Sequence, residues 1–158
     1  MHIAQRFSVE NLKISSPAFG SMERIPDKYT ANGEDVSPEL NWSGAPEGTK
    51  SFAIVVHDPD APMVEGWSHW VAYNIAGDAT GLAEGETPPS EGINRDGNPR
   101  YNGPAPPPGH GTHHYYFWVY ALDADLNLEP GVLRADLLTA IEDHVLEQAR
   151  YIGTYSND

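Results

Sequence analysis

The run HHYYFWVYAL, His113–Leu122, decides the fold class. Side chains alternate sides along a strand, so His113, Tyr115, Phe117, Val119 and Ala121 share one face. His114, Tyr116, Trp118, Tyr120 and Leu122 share the other. Both faces are largely apolar and rich in aromatic residues, which suits a central strand covered above and below. A histidine that opens such a strand stands at the rim of the core, where binding pockets form.

Working outward, further β-rich runs are Phe7–Ile14, Ser51–His57 and His69–Ile75. Turn signals separate them: Asn32-Gly33, Ser37-Pro38, Ala45–Gly48, Asp58-Pro59, Asp96-Gly97 and Gly103–Pro108. This spacing predicts an antiparallel sandwich or Greek-key pair of sheets. Past residue 130 the period changes. Leu137, Ile141, Val145, Ala149 and Ile152 recur at helical spacing, predicting a C-terminal helix over Arg134–Ile152 that covers a sheet. Asp136 would then stand in its first turn, Gly153 at its C-terminal cap, and Glu142, Asp143 and Glu147 on or near its wet side.

The 158 residues suit a single domain over 1–158. Cysteine is absent, which excludes disulfides, thiolate metal sites and thiol nucleophiles. With 23 acidic against 9 basic residues the net charge is −14, so no basic stripe can neutralise nucleic-acid phosphates. An anionic membrane surface should repel such a chain, and no apolar stretch is long enough to insert into one. The opening MHIAQRFSVE lacks a signal pattern, so a cytoplasmic location is expected, and the scattered carboxylates would suit a salt-rich cytoplasm.

Three segments concentrate reactive side chains: His57–Pro62 (HDPDAP), Trp67–Trp70 (WSHW) and Tyr101–Phe117. Asp58 and Asp60 flank Pro59 and also read as turn residues, while His69 and His113 also read as core histidines. Same-face neighbours on a strand lie about 6.5–7 Å apart, so His113 and Tyr115 can reach one small ligand. His57 and His114 read as structural and His110 as a loop residue. A zinc or iron site from His110, His113, His114 and Asp58 is disfavoured, because His113 and His114 point to opposite faces and no His-Glu-x-x-His pattern exists. No Gly-x-Ser-x-Gly elbow is present.

The segments Ser37–Trp42 (SPELNW), Asp58–Pro62 (DPDAP), Trp67–Trp70, Gly103–Pro107 (GPAPP), His113–Tyr115, Val119–Asp123 and Tyr151–Tyr155 follow in an order that carries a further reading. Together they resemble the phosphatidylethanolamine-binding protein family, in its bacterial and archaeal branch of Raf-kinase-inhibitor-like proteins. The resemblance implies two antiparallel sheets, one large and one small, with an anion pocket at one end for phosphate, a phosphorylated headgroup or acetate. It implies ligand-binding roles for Asp58, Asp60, Trp67, His69, Gly103, Ala105, Pro106, Pro107, His113 and Tyr115. Asp58 would orient an imidazole, His69 and His113 would donate in charged form, and Tyr115 would cap the ligand. Two departures stand out: Ala105 replaces a cysteine common in prokaryotic relatives, and His114 replaces a frequent arginine. The expected function is non-catalytic binding of a small anion such as phosphate, with no metal or cofactor. A kinase or protease is the expected protein partner, with a homodimer as a further expectation. A metal-dependent or histidine-based hydrolase using the same pocket is the alternative.

Overall fold

Antiparallel pairing organises residues 11–157, which the computed structural model describes, into two sheets. The small sheet joins β1 (Lys13–Ser15), β2 (Leu40–Ser43) and β5 (Gly81–Leu82) in the order β1-β2-β5. The large one joins β3 (Ser51–Asp58), β4 (Trp67–Ala76), β6 (Ser90–Glu91), β7 (His113–Leu122) and β8 (Val145–Tyr155) in the order β6-β4-β3-β7-β8. The strands expected over 51–57, 69–75 and 113–122 are β3, β4 and β7. Of the run expected over 7–14, residues 7–10 lie outside the described part, and the remainder contributes to β1. No helix among the described residues is long and apolar enough to cross a membrane.

Every residue of β3 is buried, as the near-continuous apolar run SFAIVV requires of a strand flanked on both edges. β7 lies between β3 and β8. Its Tyr115, Phe117, Val119 and Ala121 enter the core between the sheets, with Phe52, Ile54, Val56, Leu40 and Trp42. On the opposite face Tyr120 and Leu122 pack with Ala53, Val55, Val71 and Tyr73 beneath Leu137 and Ile141. The expected double cover is therefore present over the second half of β7. Over its first half, Tyr116 and Trp118 remain half-buried, stacked 6.2 Å apart, with the Arg150 guanidinium 5.7 and 5.6 Å from the two rings.

The C-terminal helix is shorter than its periodicity predicts. Helix α1 covers Arg134–Ile141, buries Leu137 and Ile141, and keeps Asp136 in its first turn. Residues 142–144 form a turn, and Val145–Tyr155 is strand β8. The spacings of four up to Ala149 fit a helical stripe and a strand equally, since four is also a multiple of two, whereas the final spacing of three to Ile152 fits the helix alone. The decision falls to β7, whose second edge would otherwise expose unpaired backbone groups; β8 pairs along it from His113↔Tyr155 to Leu122↔Val145.

Two side-chain expectations change with it. Gly153 is no helix cap: a Cβ there would lie 2.6 Å from both Ile25 Cγ1 and Phe19 Cε2, so the core closes over bare backbone. Glu147 is not on a wet face. It is buried, and its Oε1 accepts the backbone N–H groups of Asn11 and Leu12 at 2.8 and 3.0 Å. Glu142 and Asp143 are exposed as expected.

Candidate functional site

β3 ends at Asp58 beside the starts of both its neighbours, with Asp58 opposite Trp67 and His57 opposite Tyr116. Pairing alone thus brings Asp58, Trp67, His69, His113 and Tyr115 to one end of the large sheet. Alternation aims Trp67 with His69, and His113 with Tyr115. The Asp58 carboxylate is held from two sides. Its Oδ1 accepts the Asp60 N–H at 2.7 Å, closing the turn around Pro59, and its Oδ2 accepts from His113 Nδ1 at 2.7 Å. Both side chains of this Asp–His pair are almost fully buried.

The loop Asn102–Pro107 forms a wall that distant elements fix in place. Asn102 donates its N–H to His69 O at 2.9 Å, and its own carbonyl accepts from His69 Nδ1 at 2.6 Å. Gly103 donates to Asp35 Oδ1 at 2.6 Å, and any Cβ there would fall 2.1 Å from Tyr29 O. Only glycine permits that approach. Asn157 Nδ2 donates to Pro106 O at 2.7 Å.

These pieces enclose a cavity of about 330 Å³. Asp58, Trp67, His69, Gly103, Ala105, Pro106, Pro107, His113 and Tyr115 all line it, joined by Ala61, Pro62, Met63, Asp96 and Asn102. Asp60 does not line it. That carboxylate is exposed and accepts the backbone N–H and ring Nδ1 of His114 at 2.8 and 2.7 Å, so it staples the rim outside.

The imidazoles are more constrained than a pair of charged donors. His113 is engaged at both nitrogens, by Asp58 and by His110, whose Nδ1 lies 2.6 Å from His113 Nε2. Burial, above all, lowers the pKa of His69 and favours its neutral form, against the hydrogen bond to Asn102 and the charges of Asp58, Asp96 and Asp35. The Tyr115 hydroxyl is pushed well above the usual tyrosine range, chiefly by burial and then by Asp58 and Asp60, so it keeps its proton.

A family profile described as Phosphatidylethanolamine-binding protein matches residues 15–156. The chain belongs to that family. A UPF0098 protein of the archaeon Methanothermobacter thermautotrophicus is 45% identical over 151 residues, covering 91% of this chain and 98% of the relative. The crystal structure of a family homologue from Chlamydia trachomatis superposes with a TM-score of 0.88 at 38% identity, covering 94% of this chain and all of the other. E. coli YbcL, at 30% identity and the same coverage, gives 0.89. The chain thus falls in the bacterial and archaeal branch of the phosphatidylethanolamine-binding proteins, and four of the segments that carried the resemblance, Asp58–Pro62, Trp67–Trp70, Gly103–Pro107 and His113–Tyr115, contribute residues to the cavity.

Against that family background, three contributors escaped sequence reading. His110 had a signal, two histidines three residues apart across a glycine-rich turn, but a loop's direction is not periodic. Asn102 acts on His69 through a backbone carbonyl, which any residue could supply. Asp96 sat in an ordinary Asp-Gly turn. Among the described residues no group of three or more His, Asp or Glu side chains is arranged to hold a metal ion.

His57 faces a different neighbourhood, its Nδ1 3.3 Å from Ser68 Oγ. Burial lowers its pKa to about 4, and the positive charge of Arg134 adds to the effect. In the unfolded chain the ring takes a proton below about pH 6.5, whereas in the folded chain it stays neutral until about pH 4. Stability present above pH 6.5 is therefore lost as pH falls across that window. Thermal melts between pH 7 and 4 should show a shallower decline for His57→Gln than for the wild type. Parallel curves would overturn the assignment.

Proposed function

We propose that this protein is a non-catalytic binder of small oxyanions, phosphate or a phosphomonoester, in the cavity at the end of the large sheet. The observation that carries the reading is the convergence of the Tyr115 hydroxyl and the His69 imidazole on one cavity. Their rings are edge to face with centroids 5.3 Å apart, within reach of a single tetrahedral ion. A volume of about 330 Å³ sits at the small end of ligand pockets. Asp58 and His113 act behind this pair, the carboxylate fixing the imidazole and the imidazole stacking along Tyr115 with centroids 6.4 Å apart. Membership of a family with a small-ligand-binding fold supports the same reading.

Titration calorimetry with inorganic phosphate tests it. The wild type should bind, and Tyr115→Phe, which removes one hydrogen bond to a charged ligand, should weaken binding about tenfold or more. No heat with the wild type, or equal affinity in the variant, would reject the reading. Steady turnover of p-nitrophenyl phosphate by purified protein would favour the hydrolase alternative instead.

A further inference from the structure

A second cavity, of about 370 Å³, opens near the first and shares only Met63 with it. Ser68 lines it. Because Ser68 alternates along β4 with Trp67 and His69, this cavity lies on the other face of the large sheet. The start of α1 supplies part of its wall, with Leu133, Arg134 and Ala135.

Two features single this cavity out. The first is charge. In a chain with 23 acidic against 9 basic residues, two arginines, Arg95 and Arg134, line the same space. Arg24 and Arg100 are held in ion pairs, whereas neither Arg95 nor Arg134 has one among the described residues. The Arg95 guanidinium lies 5.7 Å from the Trp67 ring centroid. Arg134 Nε is closed off from solvent and unbonded, the one described buried side-chain nitrogen or oxygen in that state. A buried donor without an acceptor is costly, and turning the guanidinium toward a carboxylate in the cavity would supply one.

The second feature is apolar exposure. Met22, Met63, Val64 and Leu133 are the exposed large apolar side chains among the described residues, and all but Met22 stand on this cavity. Val64 is fully exposed, and Leu133 is 54% exposed. Leu133 also holds the N-cap of α1 without a side-chain hydrogen bond, where serine, threonine, aspartate or asparagine is favoured. Such a local rule is typically broken at a functional site.

The other polar groups set the charge of the ligand. The Asn94 side chain is spent on the backbone of Asp96, Asn98 and Arg100, and Ser68 Oγ faces His57 Nδ1. Asp136 does not line the cavity, and its Oδ2 accepts the Leu133 N–H at 3.4 Å. Glu65 is an exposed carboxylate on the rim. Two guanidiniums against one carboxylate leave a single net positive charge, which matches a monoanion better than a dianion.

We propose that this second cavity binds small organic monocarboxylates that carry an apolar chain. Arg134 and Arg95 hold the carboxylate, whose planar shape matches the guanidinium fork, and the chain lies over Leu133, Val64 and Met63. The assignment is independent of what fills the first cavity.

Amide nitrogen–proton correlation spectra of the wild-type protein, titrated with sodium octanoate in phosphate buffer, test it. The buffer anion competes for the first cavity and has no apolar chain. Octanoate should shift the amides of residues 63–68, 93–95 and 133–136. Acetate, which lacks the chain, and 1-octanol, which lacks the charge, should each bind about tenfold more weakly or worse. Arg134→Gln should weaken octanoate by a similar factor. So should Leu133→Ser, which removes the apolar lip while placing a favoured residue at the N-cap, and so spares the fold. No shifts with octanoate, shifts confined to residues 101–115, or equal affinity for acetate or octanol would overturn the proposal, as would unchanged octanoate affinity in either variant. Should Arg134→Gln not fold, Leu133→Ser and the wild-type series decide.

Discussion

Gly153→Val is expected to lower the melting temperature by about 6–12 °C, corresponding to about 3 kcal/mol of lost stability. The position lies in β8, where valine is ordinarily favoured, so local propensity argues for the opposite sign. Space decides instead. The first added carbon would stand 2.6 Å from Ile25 Cγ1 and Phe19 Cε2. Neither neighbour can give way freely. Ile25 is completely buried, and the Phe19 ring is held between Phe117 and Tyr151 with centroids 5.5 and 5.4 Å away. Were residue 153 an exposed helix cap in the left-handed conformation, as the periodicity suggests, the same change would cost about 1 kcal/mol. Differential scanning calorimetry separates the two outcomes, and a shift of about 2 °C would contradict the packing described above.

The second large effect concerns the buried pair behind the cavity. Asp58→Ala should also cost about 3 kcal/mol, because removing one partner of a buried, hydrogen-bonded Asp–His pair leaves the other without compensation. The His113 Nδ1–H would lose its acceptor, and the Asp60 N–H would lose the oxygen that closes the turn. Asp58→Asn keeps an oxygen of the same shape and should recover part of the loss. Phosphate affinity should fall with stability in the alanine variant, since His113 packs against Tyr115 and bonds to His110. A wild-type melting temperature for Asp58→Ala would show that the pair contributes nothing net to the fold.

The strands that build the site were legible because their patterns admit one reading. SFAIVV is too short for a buried helix of ordinary length and too apolar for a loop, and HHYYFWVYAL is aromatic on both faces. The segment after Ile141 admitted two readings. Its apolar residues at 145, 149 and 152 satisfy a helical stripe, and the same residues pair along the open edge of β7. Glu147 shows why such a choice is tertiary: its carboxylate finds two backbone N–H donors more than a hundred positions away. No local pattern carries that information.

For the site, the sequence by itself determined most of the side chains that line the cavity and, through strand alternation, which of them share a face. Asp58, His69, His113 and Tyr115 were identifiable because they sit at strand ends within distinctive motifs. Only the tertiary structure decided what each imidazole has left to offer. The Asn102 carbonyl assigns the hydrogen of His69, Asp58 and His110 occupy both nitrogens of His113, and His114 draws Asp60 outward. The physical reason is directional. A residue's identity sets how many hydrogen bonds it can give and take, whereas the positions of its neighbours in space set which remain for a ligand.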